Sequence, residues 1–106
     1  MDKELKVAHH FDAPLEHVGG AIERFVAAHE AWEPSAVDRE GGTLVLMLRS
    51  GWAPWVDRVA IELVTGAPGT TDLRLLLERS LPLSREAPRR RHIIALLEEV
   101  TELVAR

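Results

Sequence analysis

The chain has 106 residues, the size of one domain, so we expect residues 1–106 to form a single unit. Hydrophobic residues make up 46% and charged residues 28%, a balance that argues against disorder and favours a folded domain. The absence of Cys excludes disulfide and thiolate chemistry. The longest apolar run lies within residues 43–48, too short to cross a membrane, and the charged start of the chain predicts no signal peptide and a cytoplasmic location. A net charge of −4 makes nucleic acid an unexpected partner.

Apolar periodicity predicts the first two elements. Residues 5–11 alternate as in a strand, which places His9 and Phe11 on one face. A helix is expected to open around Pro14, since Pro suits the first helical turn, and to end at residues 32–35.

Two adjacent glycines, Gly19 and Gly20, stand in the middle of this predicted helix. Glycine within a helix is unfavourable relative to alanine, so the pair needs an explanation. Close packing against a sheet, a local break in the helix, and a place for a ligand to approach are the three interpretations.

The rest of the chain predicts a meander and a second long helix. Strands are expected at residues 43–49, 55–64 and 72–80, separated by turns rich in Gly and Pro. The last helix is expected to begin at Ser84 or Glu86. The order β-α-β-β-β-α predicts an α+β two-layer sandwich, with two helices on a four-stranded, mostly antiparallel sheet.

One predicted strand, residues 43–49, is apolar on both faces. If both helices cover one face, the other keeps an apolar patch, and such patches are typical of interfaces. We therefore expect a homodimer through the open face, with Val45, Met47, Trp52 and Trp55 as interface residues. The competing arrangement has one helix on each face.

Residues 11–18 resemble a known family junction. Their sequence, Phe-Asp-Ala-Pro-Leu-Glu-His-Val, resembles the first strand-to-helix junction of the START/polyketide-cyclase (helix-grip) superfamily, which often has Trp at the position of Gly19. A long C-terminal helix after a meander also resembles that fold, although its members typically have six or seven strands. This resemblance implies binding of a small apolar ligand.

A second resemblance covers more of the chain. Trp32 and residues 37–42, 56–61, 79–80 and 89–94 follow the order of an uncharacterised bacterial domain family. That resemblance implies no known activity.

The leading functional hypothesis is a non-enzymatic binding module with an apolar groove between sheet and helices. Its predicted ligand-binding residues are His9, Phe11, Ile22, Phe25, Ile61 and Leu75. His9 would supply a polar contact, or would be an ordinary buried histidine. One alternative is a homo-oligomeric scaffold, and another is a small cyclase- or isomerase-type enzyme that uses His9 as acid or base.

The remaining candidates concern charge. The five histidines show no spacing typical of metal ligands, so no metal site is predicted. No cofactor and no catalytic residue is assigned either. Arg85, Arg89, Arg90 and Arg91 cluster where the last helix begins, and a helix N-terminus attracts anions. An anion site and a solvated charged face are both compatible with this cluster.

Overall fold

The computed structural model describes residues 5–38, 40–49, 57–78 and 86–106. Five strands and two helices follow one another in these ranges. They are β1 (Leu5–Phe11), α1 (Leu15–Ala28), β2 (Trp32–Asp38), β3 (Thr43–Leu48), β4 (Asp57–Thr65), β5 (Thr71–Glu78) and α2 (Glu86–Ala105).

The strands form one antiparallel sheet in the order β1-β5-β4-β3-β2. The first strand, β1, therefore pairs with the last, β5, while β2, β3, β4 and β5 lie side by side in chain order. This arrangement confirms the predicted α+β class. The predicted count of four strands is wrong, since the described residues form five.

The additional strand is β2, which occupies residues expected to end the first helix. In the structure α1 ends at Ala28, and Trp32 is the one buried residue of β2, edge-to-face with Phe25 at 5.8 Å. Pro34 has no N–H to donate to a neighbouring strand. It is tolerated because β2 is an edge strand, which pairs on one side only. The register shifts between Pro34 and Ala36, an irregularity typical of sheet edges.

Both helices pack on one face of the sheet, which we call the inner face. Alternate residues of β3 and β5, and of β4 up to Leu63, point there, as the period of two requires, and are buried. The α2 residues Ile93, Leu96 and Val100 join the same core as Val18 and Ile22 of α1. The alternative with one helix on each face is therefore wrong for the described elements.

The glycine pair lies inside a continuous helix, so the interpretation as a local break is wrong. A methyl group on Gly19 would lie 3.8 Å from Leu63 Cδ1, an ordinary contact, and one on Gly20 would meet nothing within 4 Å. Close packing therefore does not require glycine at either position.

A turn at Gly41 and Gly42 leads into β3. Gly42 has a φ of 69°, and its carbonyl oxygen accepts a hydrogen bond of 2.7 Å from the Leu63 N–H. A Cβ on Gly42 would lie only 2.4 Å from the Leu63 carbonyl oxygen. Glycine at this position therefore allows the turn and β4 to approach closely.

We predict that Gly42→Ala destabilises the protein by about 2 kcal/mol or more, because backbone strain adds to a clash with the neighbouring backbone. Gly69→Ala is the matched control, since Gly69 also has a positive φ, 79°, but open space around its Cα. Urea unfolding of both variants measures the difference. Equal losses of stability would contradict the close-approach explanation.

Candidate functional site

His9 lies at the edge of the inner face. Its ring faces inward from β1, which is an edge strand, and packs edge-to-face on Phe11 at 4.7 Å between ring centroids. The side chain is half-buried, and within the described part of the chain its ring nitrogens have no hydrogen-bond partner. A polar group at the rim of the core is therefore available.

One face of α2 lies opposite His9. Together they line an open depression of about 490 Å³, which we call the β1–α2 groove. Its α2 residues recur at helical spacing, and they are Ile94, Leu97, Glu98, Thr101 and Glu102. The Thr101 hydroxyl donates to the Leu97 carbonyl oxygen at 2.6 Å. The groove thus combines an apolar floor, contributed by Ile94 and Leu97, with an acidic rim.

The other five predicted ligand-binding residues occupy the core. Phe11, Ile22, Phe25, Ile61 and Leu75 belong to one buried cluster, and none is more than 3% exposed. The structure therefore brings these five together in the core, while His9 faces the groove beside them. Their role in ligand binding stays a prediction. The five α2 residues of the groove were not among the sequence candidates, although their spacing places them on one helical face: Ile94, Leu97, Glu98, Thr101 and Glu102.

His17 of α1 and His29, which follows the last residue of α1, both contact α2. His29 Nε2 lies 2.6 Å from Glu99 Oε2, and Phe25 packs on the His29 ring at 4.3 Å between centroids. Near the other end of α1, His17 Nε2 donates to the Val104 carbonyl oxygen at 3.0 Å. These contacts link the two helices at both ends of α1 and so position the groove-facing side of α2.

Asp57, a buried carboxylate at the start of β4, is far from His9 in the sheet. His9 is opposite Leu73, which in turn is opposite Leu63 on β4. Asp57 precedes Leu63 by six residues, about 20 Å along the strand. An acid–base dyad of His9 with Asp57 is therefore excluded by the geometry.

The outer face of the sheet has the apolar surface expected from residues 43–49. Val45, Ala60 and Leu76 are half-buried and lie side by side on three neighbouring strands. A shallow depression of about 560 Å³ crosses this face, and Glu62 and Arg74 flank it with a 3.4 Å ion pair. Of the predicted interface residues, Val45 and Met47 are on this face, whereas Trp52 and Trp55 lie outside the described residues.

The arginine cluster is only partly described. Arg85 lies outside the described residues, and the Arg89 side chain is also not described. Arg90 and Arg91 are exposed in the second turn of α2. The anion site stays a prediction.

His10 occupies the opposite face of β1 from His9. Its Nδ1 lies 2.7 Å from Asp72 Oδ1, and its Nε2 lies 3.2 Å from Asp12 Oδ1. Both ring nitrogens can donate only in the protonated form, so the two carboxylates favour the imidazolium. The hydrogen bond to Asp72 raises the pKa of His10 above 6.5, desolvation opposes the shift, and Asp12 adds to it.

Two further observations apply to the described residues alone. No three His, Asp or Glu side chains in these ranges are arranged to hold a metal ion. Neither helix, within the same ranges, has the length and apolarity needed to cross a membrane.

The fold is shared with solved structures of very different sequence. Ara h 8.0201 is 9% identical, with 99% of each chain covered and a TM-score of 0.65. Protein NE0264 from Nitrosomonas europaea is 12% identical, with 96% of this chain and 94% of that chain covered and a TM-score of 0.60. The Zhui aromatase/cyclase from a Streptomyces species is 12% identical, with 100% of this chain and 95% of that chain covered and a TM-score of 0.55.

At these identities the likeness shows the fold alone. It is consistent, at the level of the fold, with the predicted resemblance to helix-grip proteins. No family model matches the chain, and no curated protein matches its sequence. The resemblance to an uncharacterised bacterial family stays a prediction.

We predict that His10 makes stability depend on pH. Because its pKa is raised in the folded state, its contribution is complete below the unfolded pKa of 6.5 and is lost as the pH rises through the folded pKa. Compared with His10→Gln, the wild type should therefore lose stability across that window. Thermal unfolding at a series of pH values measures this loss.

The two carboxylates provide the control for this prediction. Asp72→Asn removes the larger cause of the shift and should reduce the pH dependence more than Asp12→Asn does. A pH profile unchanged in His10→Gln would contradict the assignment.

Proposed function

We propose that the chain is a non-enzymatic binding module that takes a small apolar ligand in the β1–α2 groove. The observation that carries the proposal is the half-buried His9, free of hydrogen-bond partners among the described residues, beside an Ile94 that is 47% exposed. An apolar body would cover Ile94 and Leu97, while His9 would provide one directional polar contact.

The size and composition of the groove support this proposal. Ligand pockets typically measure about 300–1,000 Å³ and combine apolar walls with a few polar groups, and the groove, at about 490 Å³, falls within that range. The contacts of His17 and His29 with α2 hold this helix before any ligand arrives, so less ordering is needed on binding.

Binding is favoured over catalysis by the surroundings of His9. A catalytic histidine is normally oriented by a third group, such as a carboxylate. Within the described ranges no carboxylate is hydrogen-bonded to His9, whose ring contact is with Phe11. The Zhui aromatase/cyclase has the same fold, but its activity is not carried over to this chain by these contacts.

Ile94→Asp tests the groove. A neutral apolar fluorophore, N-phenyl-1-naphthylamine, should bind the wild type and bind Ile94→Asp roughly tenfold to a hundredfold more weakly, since an apolar contact is replaced by a charge. Fluorescence titration gives both affinities.

Val37→Asp is the matched control, because Val37 is similarly exposed, at 43%, but lies on β2 at the other edge of the sheet. It should bind the fluorophore as the wild type does. Absence of binding to the wild type, or equal binding by Ile94→Asp, would reject the proposed site.

The outer face favours a second function, self-association through the open sheet. The row of Val45, Ala60 and Leu76 offers apolar contact area to a second copy. Glu62 and Arg74 place opposite charges side by side next to this row, which suits a two-fold-related copy presenting the same pair. This dimer, with Met47 at its margin, would act independently of the groove.

Ala60→Lys tests self-association. Ala60 is in the middle of the apolar row, so a lysine there would insert a charge into the interface while its flexible stem stays compatible with the sheet surface. We expect a dimeric wild type and a monomeric Ala60→Lys by analytical ultracentrifugation, with Val37→Asp remaining dimeric. A monomeric wild type would reject the interface.

A further inference from the structure

We propose that the ligand of the β1–α2 groove carries a cationic nitrogen, and that Glu98 and Glu102 recognise it. This inference rests on the proposed function and adds the chemical class of the ligand: a small amphiphile with an apolar body and an amine. The apolar body lies on Ile94 and Leu97, and the amine lies at the acidic rim.

The groove residues on α2 are arranged so that apolar and acidic side chains lie at opposite ends of the groove. Ile94, Glu98 and Glu102 follow one another at intervals of one turn, so they form a row along the helix. The apolar end of this row is Ile94, and both carboxylates lie at its other end. An amphiphile aligned with α2 would therefore place its apolar body on Ile94 and its charged end next to the two carboxylates.

The rim of the groove has two negative charges without a described counter-charge. Glu98 and Glu102 are like charges four residues apart on a helix, a spacing that is mildly unfavourable. Both are exposed, and neither forms an ion pair with any described residue. A bound cation would relieve this repulsion and interact with two carboxylates together.

Among the described residues, the cations nearest along α2 do not supply that charge. Arg91 precedes Glu98 by seven residues, about 10 Å along α2, a distance at which physiological salt screens much of the interaction. Arg106 follows the last helical residue and is not within ion-pair distance of Glu102. His9, on the opposite wall, is left to accept or donate a hydrogen bond.

The test compares ligands that share one apolar body. The probes are 1-naphthylmethylamine, which is a cation at neutral pH, and 1-naphthylmethanol, which is neutral. We expect the wild type to bind the amine roughly threefold to tenfold more tightly than the alcohol, with a preference that shrinks as salt is added. NMR titration measures both affinities and, from the shifted amides, the position of each probe.

The double variant Glu98→Gln, Glu102→Gln should bind both probes equally. Its matched control is Glu30→Gln, Glu40→Gln, which changes the net charge by the same amount at exposed positions away from the groove and should keep the preference. Because all four substitutions are at exposed sites, the variants should remain folded.

The outcomes separate this inference from the proposed function. If both probes bind the wild-type groove equally, or if the preference survives in Glu98→Gln, Glu102→Gln, the cationic ligand is rejected while the binding module stands. If neither these probes nor N-phenyl-1-naphthylamine shifts groove amides, the proposed function fails, and this inference fails with it. Loss of the preference in the groove variant alone supports the inference.

Discussion

Burial of the inner face of the sheet holds both helices on the same side. Ile61 on β4 is opposite Leu75 on β5 and Leu44 on β3, and all three are almost completely buried. Because side chains alternate along a strand, a slip of one residue would bring Ala60 and Glu62 into the core in place of Ile61. The register is therefore strongly specified, and with it the position of every residue on both faces. The half-apolar outer face follows directly, since both helices of the described structure are on the other side.

The same alternation explains why β1 places a polar side chain, His9, at the rim of the core. This strand is an edge of the sheet, so no further strand covers its flank. Phe11 is anchored in the core, and counting back two residues places His9 inward at the rim. Between β1 and α1, the buried Thr71 hydroxyl donates to the Ala13 carbonyl oxygen at 2.7 Å and ties the junction to β5. Burial of Phe11 and the Thr71–Ala13 hydrogen bond thus fix β1, the start of α1 and the β1 side of the groove.

Prediction from sequence succeeded where burial leaves a periodic pattern and failed where it does not. The alternation in β4 and the spacing of Ile93, Leu96 and Val100 follow from one buried face, and the structure confirms both. In β2 a single buried residue, Trp32, precedes six exposed ones, so no alternation exists to be recognised. The groove was missed for a related reason. The polar residues on one side of α2 do not indicate which strand residue faces them. His9 and Glu98 line one groove only in the folded chain, where β1 pairs with β5 and α2 packs on the same face of the sheet.

The two proposed binding surfaces can be separated because one strand contributes to both. Consecutive residues of β1 point to opposite faces, so His9 faces the groove while Ala8 and His10 face outward. A ligand against α2 would touch the inner side of the sheet edge, and a second copy on the apolar row would touch the outer side. Neither occupant would block the other. Substitutions at exposed Ile94 and half-buried Ala60 therefore act on separate surfaces, and a change in both binding and self-association from either one would argue for communication through the sheet.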